Sequence, residues 1–149
     1  MSKCHKKLIV CHVNVRSLLS PSRLLDVEIL TAVHNIDVLC LSETWLSALT
    51  PTSYINLNGF YLASRRDRQD RRGGGVAIFV RNHLIVTPLS LLSSTNIECT
   101  GVQIALSKRR KLNIITAYRP PDFPAATFND ELVQSSRRWW AWASSLSGW

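Results

Sequence analysis

Two polar side chains stand where apolar runs of the sequence end. Asn14 closes the β-branched run that starts at Leu8, and Glu43 closes the run Asp37-Val38-Leu39-Cys40-Leu41-Ser42-Glu43. At the ends of neighbouring strands, about 4.8 Å apart, an amide and a carboxylate can converge on one hard cation or one phosphate. A bare glutamate at the end of a buried strand is costly unless it is paired or holds a metal. The alternative is a Glu43 that caps a turn or pairs with an arginine.

The second chemical signal is charge. The 149 residues carry a formal net charge of +8, and the excess is clustered. Residues 65–72 contribute Arg65, Arg66, Arg68, Arg71 and Arg72, with Asp67 and Asp70 among them; Lys108, Arg109, Arg110 and Lys111 form an unbroken cationic tip. Such segments are either solvated loop tips or contacts for a polyanion, and arginine suits bidentate phosphate recognition. Nucleic acid is therefore the expected partner.

Other motifs are weaker. Gly73-Gly74-Gly75 lacks the Gly-Lys-Ser/Thr ending of a phosphate-binding loop and reads as a flexible approach to a hairpin. Cys4, Cys11, Cys40 and Cys99 contain no Cys-x-x-Cys pair. Cys11 and His12 are adjacent on an expected strand, so they point to opposite faces and do not build a zinc site with Cys4 and His5. Unpaired thiols, no signal peptide and no apolar stretch long enough to span a bilayer lead us to expect an intracellular protein, nuclear or cytoplasmic, with no membrane contact.

The elements that must position these groups follow from the pattern. Residues 8–15 and 37–43 read as buried strands. The segment between them reads as a helix, with Ser20 or Ser22 as cap, Pro21 in the first turn, Leu25, Ile29, Ala32 and Val33 at helical spacing, and Asn35 as the stop. Strand, helix, strand over about 35 residues is a βαβ unit with two parallel strands, and ligands gather at the carboxyl ends of such strands. After a loop from Ser47 to Asn58, strands are expected at 60–63, 76–80, 97–106 and 112–118, mostly antiparallel. Arg119-Pro120-Pro121 must leave the sheet, and Thr127 opens a short helix. Residues 133–149 hold four of the five tryptophans and read as an atypical tail, foreign to a domain at 1–132.

Four segments occur in order: His12-Val13-Asn14-Val15-Arg16-Ser17-Leu18, then Asp37 through Ser42-Glu43-Thr44-Trp45-Leu46, then Gly73-Gly74-Gly75-Val76-Ala77-Ile78, then Ala117-Tyr118-Arg119-Pro120-Pro121. This series resembles the endonuclease/exonuclease/phosphatase superfamily, and within it the apurinic-endonuclease-like nuclease domain of non-LTR (LINE-type) retrotransposons. The resemblance implies an α+β fold, part of a four-layer sandwich of the deoxyribonuclease-I-like type. It implies hydrolysis of a DNA phosphodiester with Mg²⁺, or Mn²⁺ in its place. Glu43 would bind the metal, Asn14 would help position the metal-site water or phosphate, and Tyr118 would hydrogen-bond the scissile phosphate. Arg16 would contact phosphate; Arg119 and the two basic segments are candidates for nucleic-acid contact on their charge alone.

The sequence also departs from that family. The Gly-Asp-x-Asn segment that supplies a water-activating aspartate is missing, and so is the Ser-Asp-His segment that supplies the essential histidine. After Tyr118 the only carboxylates are Asp122, Asp130 and Glu131, and no histidine follows His83. The chain thus reads as the first half of such a domain, about one sheet's worth. An uncovered apolar sheet face would then promote self-association, and turnover would be weak or absent. A non-catalytic nucleic-acid binder and a phosphatase of the same superfamily are the competing readings.

Overall fold

The computed structural model describes residues 7–91 and 97–145, with side chains described as far as residue 137. The βαβ unit forms as its sequence dictates. β1 (Val10–Asn14) and β2 (Val38–Ser42) are parallel neighbours joined by α1 (Pro21–Val33). Ser20 is the N-cap residue of α1 and Pro21 fills its first position, where the missing N–H costs nothing. Asn35, at φ +50°, takes the left-handed conformation that ends the helix.

β3 (Phe60–Arg66) and β4 (Val76–Arg81) form an antiparallel hairpin on the far side of β2, giving a four-stranded sheet in the order β1-β2-β4-β3. β3 is longer than its apolar letters suggest. It carries Arg65 and Arg66 into the ladder, opposite Ala77 and Val76. The loop before it includes a short 3₁₀ turn at Thr52–Ile55.

A second, three-stranded antiparallel sheet consists of β5 (Val86–Pro88), β6 (Glu98–Ala105) and β7 (Lys111–Tyr118). The sequence led us to expect one sheet with an exposed apolar face. Instead, Val38, Cys40, Ile78 and Val80 of the first sheet pack on Val102 and Ile104 of the second. The apolar face on which self-association was expected is thus covered from within the chain. Alternation along β2 and β4 explains the arrangement: Leu39, Leu41, Ala77 and Phe79 point the other way, into a core shared with Val27, Leu18 and Ile55. Each fully buried side chain of this size contributes about 1.5–3 kcal/mol.

Two further expectations are corrected. Helix α1 buries Val27 and Thr31, whereas Leu25, Ile29 and Val33 lie on its exposed face. The last helix is not short: α2 spans Ala125–Ser145 and passes through residues 132–133 without a break. Cys4, His5 and Trp149 lie outside the described residues, as do the side chains of Trp139, Trp140 and Trp142. No helix among the described residues is long and apolar enough to cross a membrane.

Candidate active site

Register brings the chemistry to one rim. Asn14 pairs with Ser42 across the parallel ladder, so Glu43 is the next residue beyond the same edge. Val76, the first residue of β4, also faces Ser42, which brings Gly75 beside Glu43. In the second sheet Tyr118 ends β7 directly opposite Glu98, which begins β6.

The side chains then meet. The Tyr118 hydroxyl donates to Glu43 Oε1 at 2.6 Å, linking the two sheets. Glu43 also accepts hydrogen bonds from the side chains of Asn14 and Trp45, and the Arg16 guanidinium lies within electrostatic reach. The Asn14 amide is oriented from its other end, because Oδ1 accepts the Arg16 backbone N–H at 3.3 Å. The Tyr118 hydrogen bond is the largest cause holding the Glu43 carboxyl below its ordinary pKa, with Asn14, Arg16 and Trp45 adding to it against desolvation. Burial, then the Glu43 hydrogen bond and charge, push the Tyr118 phenol up to about 12.

The backbone around this carboxylate is unusual. Glu43 and Trp45 have φ of +52° and +57°, and across from them Arg16 and Ser17 have φ of +44° and +88°. Non-glycine residues persist in this region only when their surroundings hold them there. Here the Ser17 N–H donates to the Glu43 carbonyl at 2.8 Å and Leu18 N–H to Thr44 at 3.0 Å. From the opposite side, Thr44 N–H donates to Gly75 O at 3.3 Å and Trp45 N–H to Gly74 O at 2.9 Å. Gly73-Gly74-Gly75 is thus a clamp on the Glu43 segment rather than a flexible approach to a hairpin. Gly75, at φ +85°, must lack a side chain, since a Cβ would come within 2.6 Å of Thr44 Oγ1.

The basic residues divide into separate groups. Arg65 donates to the carbonyls of Ser47 and Thr50 at 3.2 Å and pairs with Asp67 at 3.3 Å. Arg68 forms an ion pair with Glu98, and its Nη2 is buried with no partner among the described residues. Arg119 is tied to the Phe123 carbonyl at 2.7 Å. Arg71 and Arg72 are exposed; Arg71 pairs loosely with Asp122 at 3.6 Å, and Arg72 lies over the Trp45 ring at 5.5 Å. Arg66 is half-buried on β3. A cleft of about 920 Å³ adjoins the site, lined by Arg65–Arg68, Glu98 and Phe123 among others; Glu43 and Tyr118 lie beside it, not in it.

The tip formed by Lys108, Arg109, Arg110 and Lys111 is exposed and precedes or begins β7, whereas Tyr118 ends it. Eight residues of strand put the tip roughly 24 Å from the rim. The two basic segments therefore lie at opposite ends of the second sheet.

Among the described residues Glu43 is the carboxylate that bonds Asn14, and no three His, Cys, Asp or Glu side chains are grouped to hold a metal. Mg²⁺ needs few protein ligands: one or two carboxylates, with water and substrate phosphate completing its shell. An ionised Glu43 supplies that carboxylate; the Asn14 amide turns its NH2 to Glu43 and its Oδ1 to the Arg16 N–H, which leaves one lone pair of Oδ1 for the ion or its water. Sequence reasoning missed Glu98, Thr44 and Ser17; the only signal was the identity of the residues flanking Glu43 and the glycine triplet.

Comparison with known proteins gives a consistent picture. A family model described as the Endonuclease/Exonuclease/phosphatase family matches residues 11–148. The endonuclease domain of TRAS1, a telomere-specific non-LTR retrotransposon, superposes with a TM-score of 0.63 at 19% identity, over 89% of this chain and 53% of that one. An AP endonuclease from Archaeoglobus fulgidus gives 0.63 at 20% identity, over 89% and 52%. AP endonuclease LMAP from Leishmania major gives 0.60 at 19%, over 85% and 44%. The chain spans about half the length of these solved relatives. No curated protein matches it.

Proposed function

The chain belongs to the endonuclease/exonuclease/phosphatase family, and on that premise we propose that it carries the metal- and phosphate-binding part of a DNA-nicking endonuclease of the non-LTR retrotransposon type, with little turnover of its own. The observation that supports this most is the Glu43 carboxylate, kept ionised and oriented at the sheet rim by Tyr118 and Asn14.

In this reading Glu43 and Asn14 would hold Mg²⁺ or Mn²⁺. Bound there, the ion would offset charge on the scissile phosphate and on the leaving oxygen. Tyr118, protonated throughout the neutral range, has one O–H, which Glu43 accepts here; with the ion on Glu43 that donor would turn to the phosphate. The exposed Arg16 supplies a further donor close by. Arg71 and Arg72 would carry the flanking strand by phosphate contact. Turnover is expected to be low because no residue here supplies the family's water-activating aspartate or its histidine, and residues that act as a unit lose most of the rate together.

Binding to supercoiled plasmid with Mg²⁺ and with chelator, for the parent and Glu43→Ala, tests the reading. We expect Mg²⁺ to tighten DNA binding, Glu43→Ala to abolish that gain, and nicking to stay near background. Equal binding in chelator and in the variant, falling steeply with salt, would instead identify a non-catalytic basic binder. Robust nicking by the parent that Glu43→Ala removes would overturn the proposed inactivity. A phosphatase acting on lipid or inositol phosphates is disfavoured by the exposed arginines beside the site.

A further inference from the structure

Glu98 sits outside the set of residues that face the proposed metal, yet it bonds the glycine turn that contacts one side of the Glu43 segment. Its Oε2 accepts the Gly75 N–H, and its Oε1 accepts the Arg68 Nε–H. The carboxylate is largely buried, with a side chain 13% exposed against 11% for Arg68. The fit leaves no slack, since a Cβ on Gly74 would come within 2.5 Å of both Arg68 and Glu98.

The next contacts lead to the site. The carbonyls of Gly74 and Gly75 accept the N–H groups of Trp45 and Thr44, the two residues after Glu43. Glu98 also faces Tyr118 across the β6–β7 ladder. One carboxylate therefore ties the start of the second sheet to the glycine turn, and the turn holds Glu43 in a backbone conformation it would not otherwise keep.

We propose that Glu98 is a positioning residue, which aims the Glu43 carboxylate by fixing the glycine turn against Thr44 and Trp45. Its relevance to phosphodiester chemistry rests on the function proposed above for Glu43; the clamp itself does not.

Glu98→Gln is the discriminating variant. It is close to isosteric, but it offers one acceptor oxygen where two donors converge, so either Gly75 or Arg68 loses its partner. Amide hydrogen exchange is read at Thr44 and Trp45 and compared with Leu39 and Leu41 in β2, alongside Mn²⁺ affinity. We expect exchange at Thr44 and Trp45 to accelerate about tenfold or more while Leu39 and Leu41 stay within about twofold, and Mn²⁺ to bind about tenfold more weakly. Adding Arg68→Met removes one of the competing donors and should restore slow exchange and Mn²⁺ affinity. Unchanged exchange at Thr44 and Trp45, equal acceleration at all four amides, or local opening with undiminished Mn²⁺ affinity would each overturn the proposal. A parent chain that binds no Mn²⁺ would count against the proposed function of Glu43, and the exchange comparison would still decide whether Glu98 holds the turn.

Discussion

The Tyr118 hydroxyl, at the end of the second sheet, donates at 2.6 Å to the Glu43 carboxylate at the end of the first. The bond crosses the sandwich at its rim and joins the ends of the two sheets. It fixes a carboxylate and a phenol in complementary states, one ionised and one protonated.

Tyr118→Phe removes the largest cause of the lowered Glu43 pKa. The Glu43 carboxyl should move up toward 4.5, the ordinary value, as read by carbon NMR of the side-chain carboxylate. The stability cost should be about 1 kcal/mol, because the bond is only partly buried. An unmoved Glu43 titration would show that the phenol does not control it.

The same contact makes stability depend on pH at both extremes. Glu43 has a depressed folded value, so its contribution is present above 4.5 and is lost as pH falls through the lower folded value. Tyr118 has a raised value, so its contribution is complete below 10 and is lost as pH rises through about 12. Urea denaturation across both windows should show both losses in the parent and smaller ones in Tyr118→Phe. There Asn14, Arg16 and Trp45 still act on Glu43, and buried Cys40, raised to about 11, still titrates in the alkaline window.

Gly75→Ala should destabilise the fold by about 1–3 kcal/mol, combining positive φ with a close approach. Gly73→Ala meets nothing nearer than 3.7 Å and should cost less. Denaturant midpoints compare the two directly. Equal costs would mean that the left-handed backbone alone, and not contact with Thr44, requires glycine.

Neutralising Arg71 and Arg72 together should weaken DNA binding and lower the salt dependence by about two counterions, whereas the same change at Lys108 and Lys111 should leave the Mg²⁺-dependent gain intact. The reason is distance: the lysine tip is at the far end of β7. Fluorescence anisotropy over a salt series separates the two. Loss of the Mg²⁺-dependent gain in the tip variant would contradict this division.

Several of these relationships were legible in the sequence. Apolar runs ending in Asn14 and Glu43, joined by a helix, were enough to place both residues at one rim. What the pattern concealed has physical causes. Residues 97–118 read as two more strands, but nothing local reveals that they form a separate sheet, because the packing of Val102 and Ile104 on Cys40 and Ile78 is a long-range property. Leu25, Ile29 and Val33 share a helical face, yet burial falls on Val27 and Thr31, and Val27 packs in the core that holds Leu39 and Leu41 of β2. Glu98 is silent in sequence, since its role exists only once β6 pairs with β7 and the glycine turn folds over it. The arginines at 65 and 68 look like their neighbours in the sequence, but Ser47, Thr50 and Glu98 engage them inside the fold.

In the proposed function the Glu43 carboxylate and the Asn14 amide form a divalent-cation site. Paramagnetic broadening by Mn²⁺, mapped over the backbone amides of the parent and of Glu43→Ala, tests it most directly. Signals from Asn14, residues 43–45 and Tyr118 should fade first, those of residues 108–111 should be spared, and the effect should vanish in the variant. Broadening centred elsewhere, or unchanged without the Glu43 carboxylate, would contradict it.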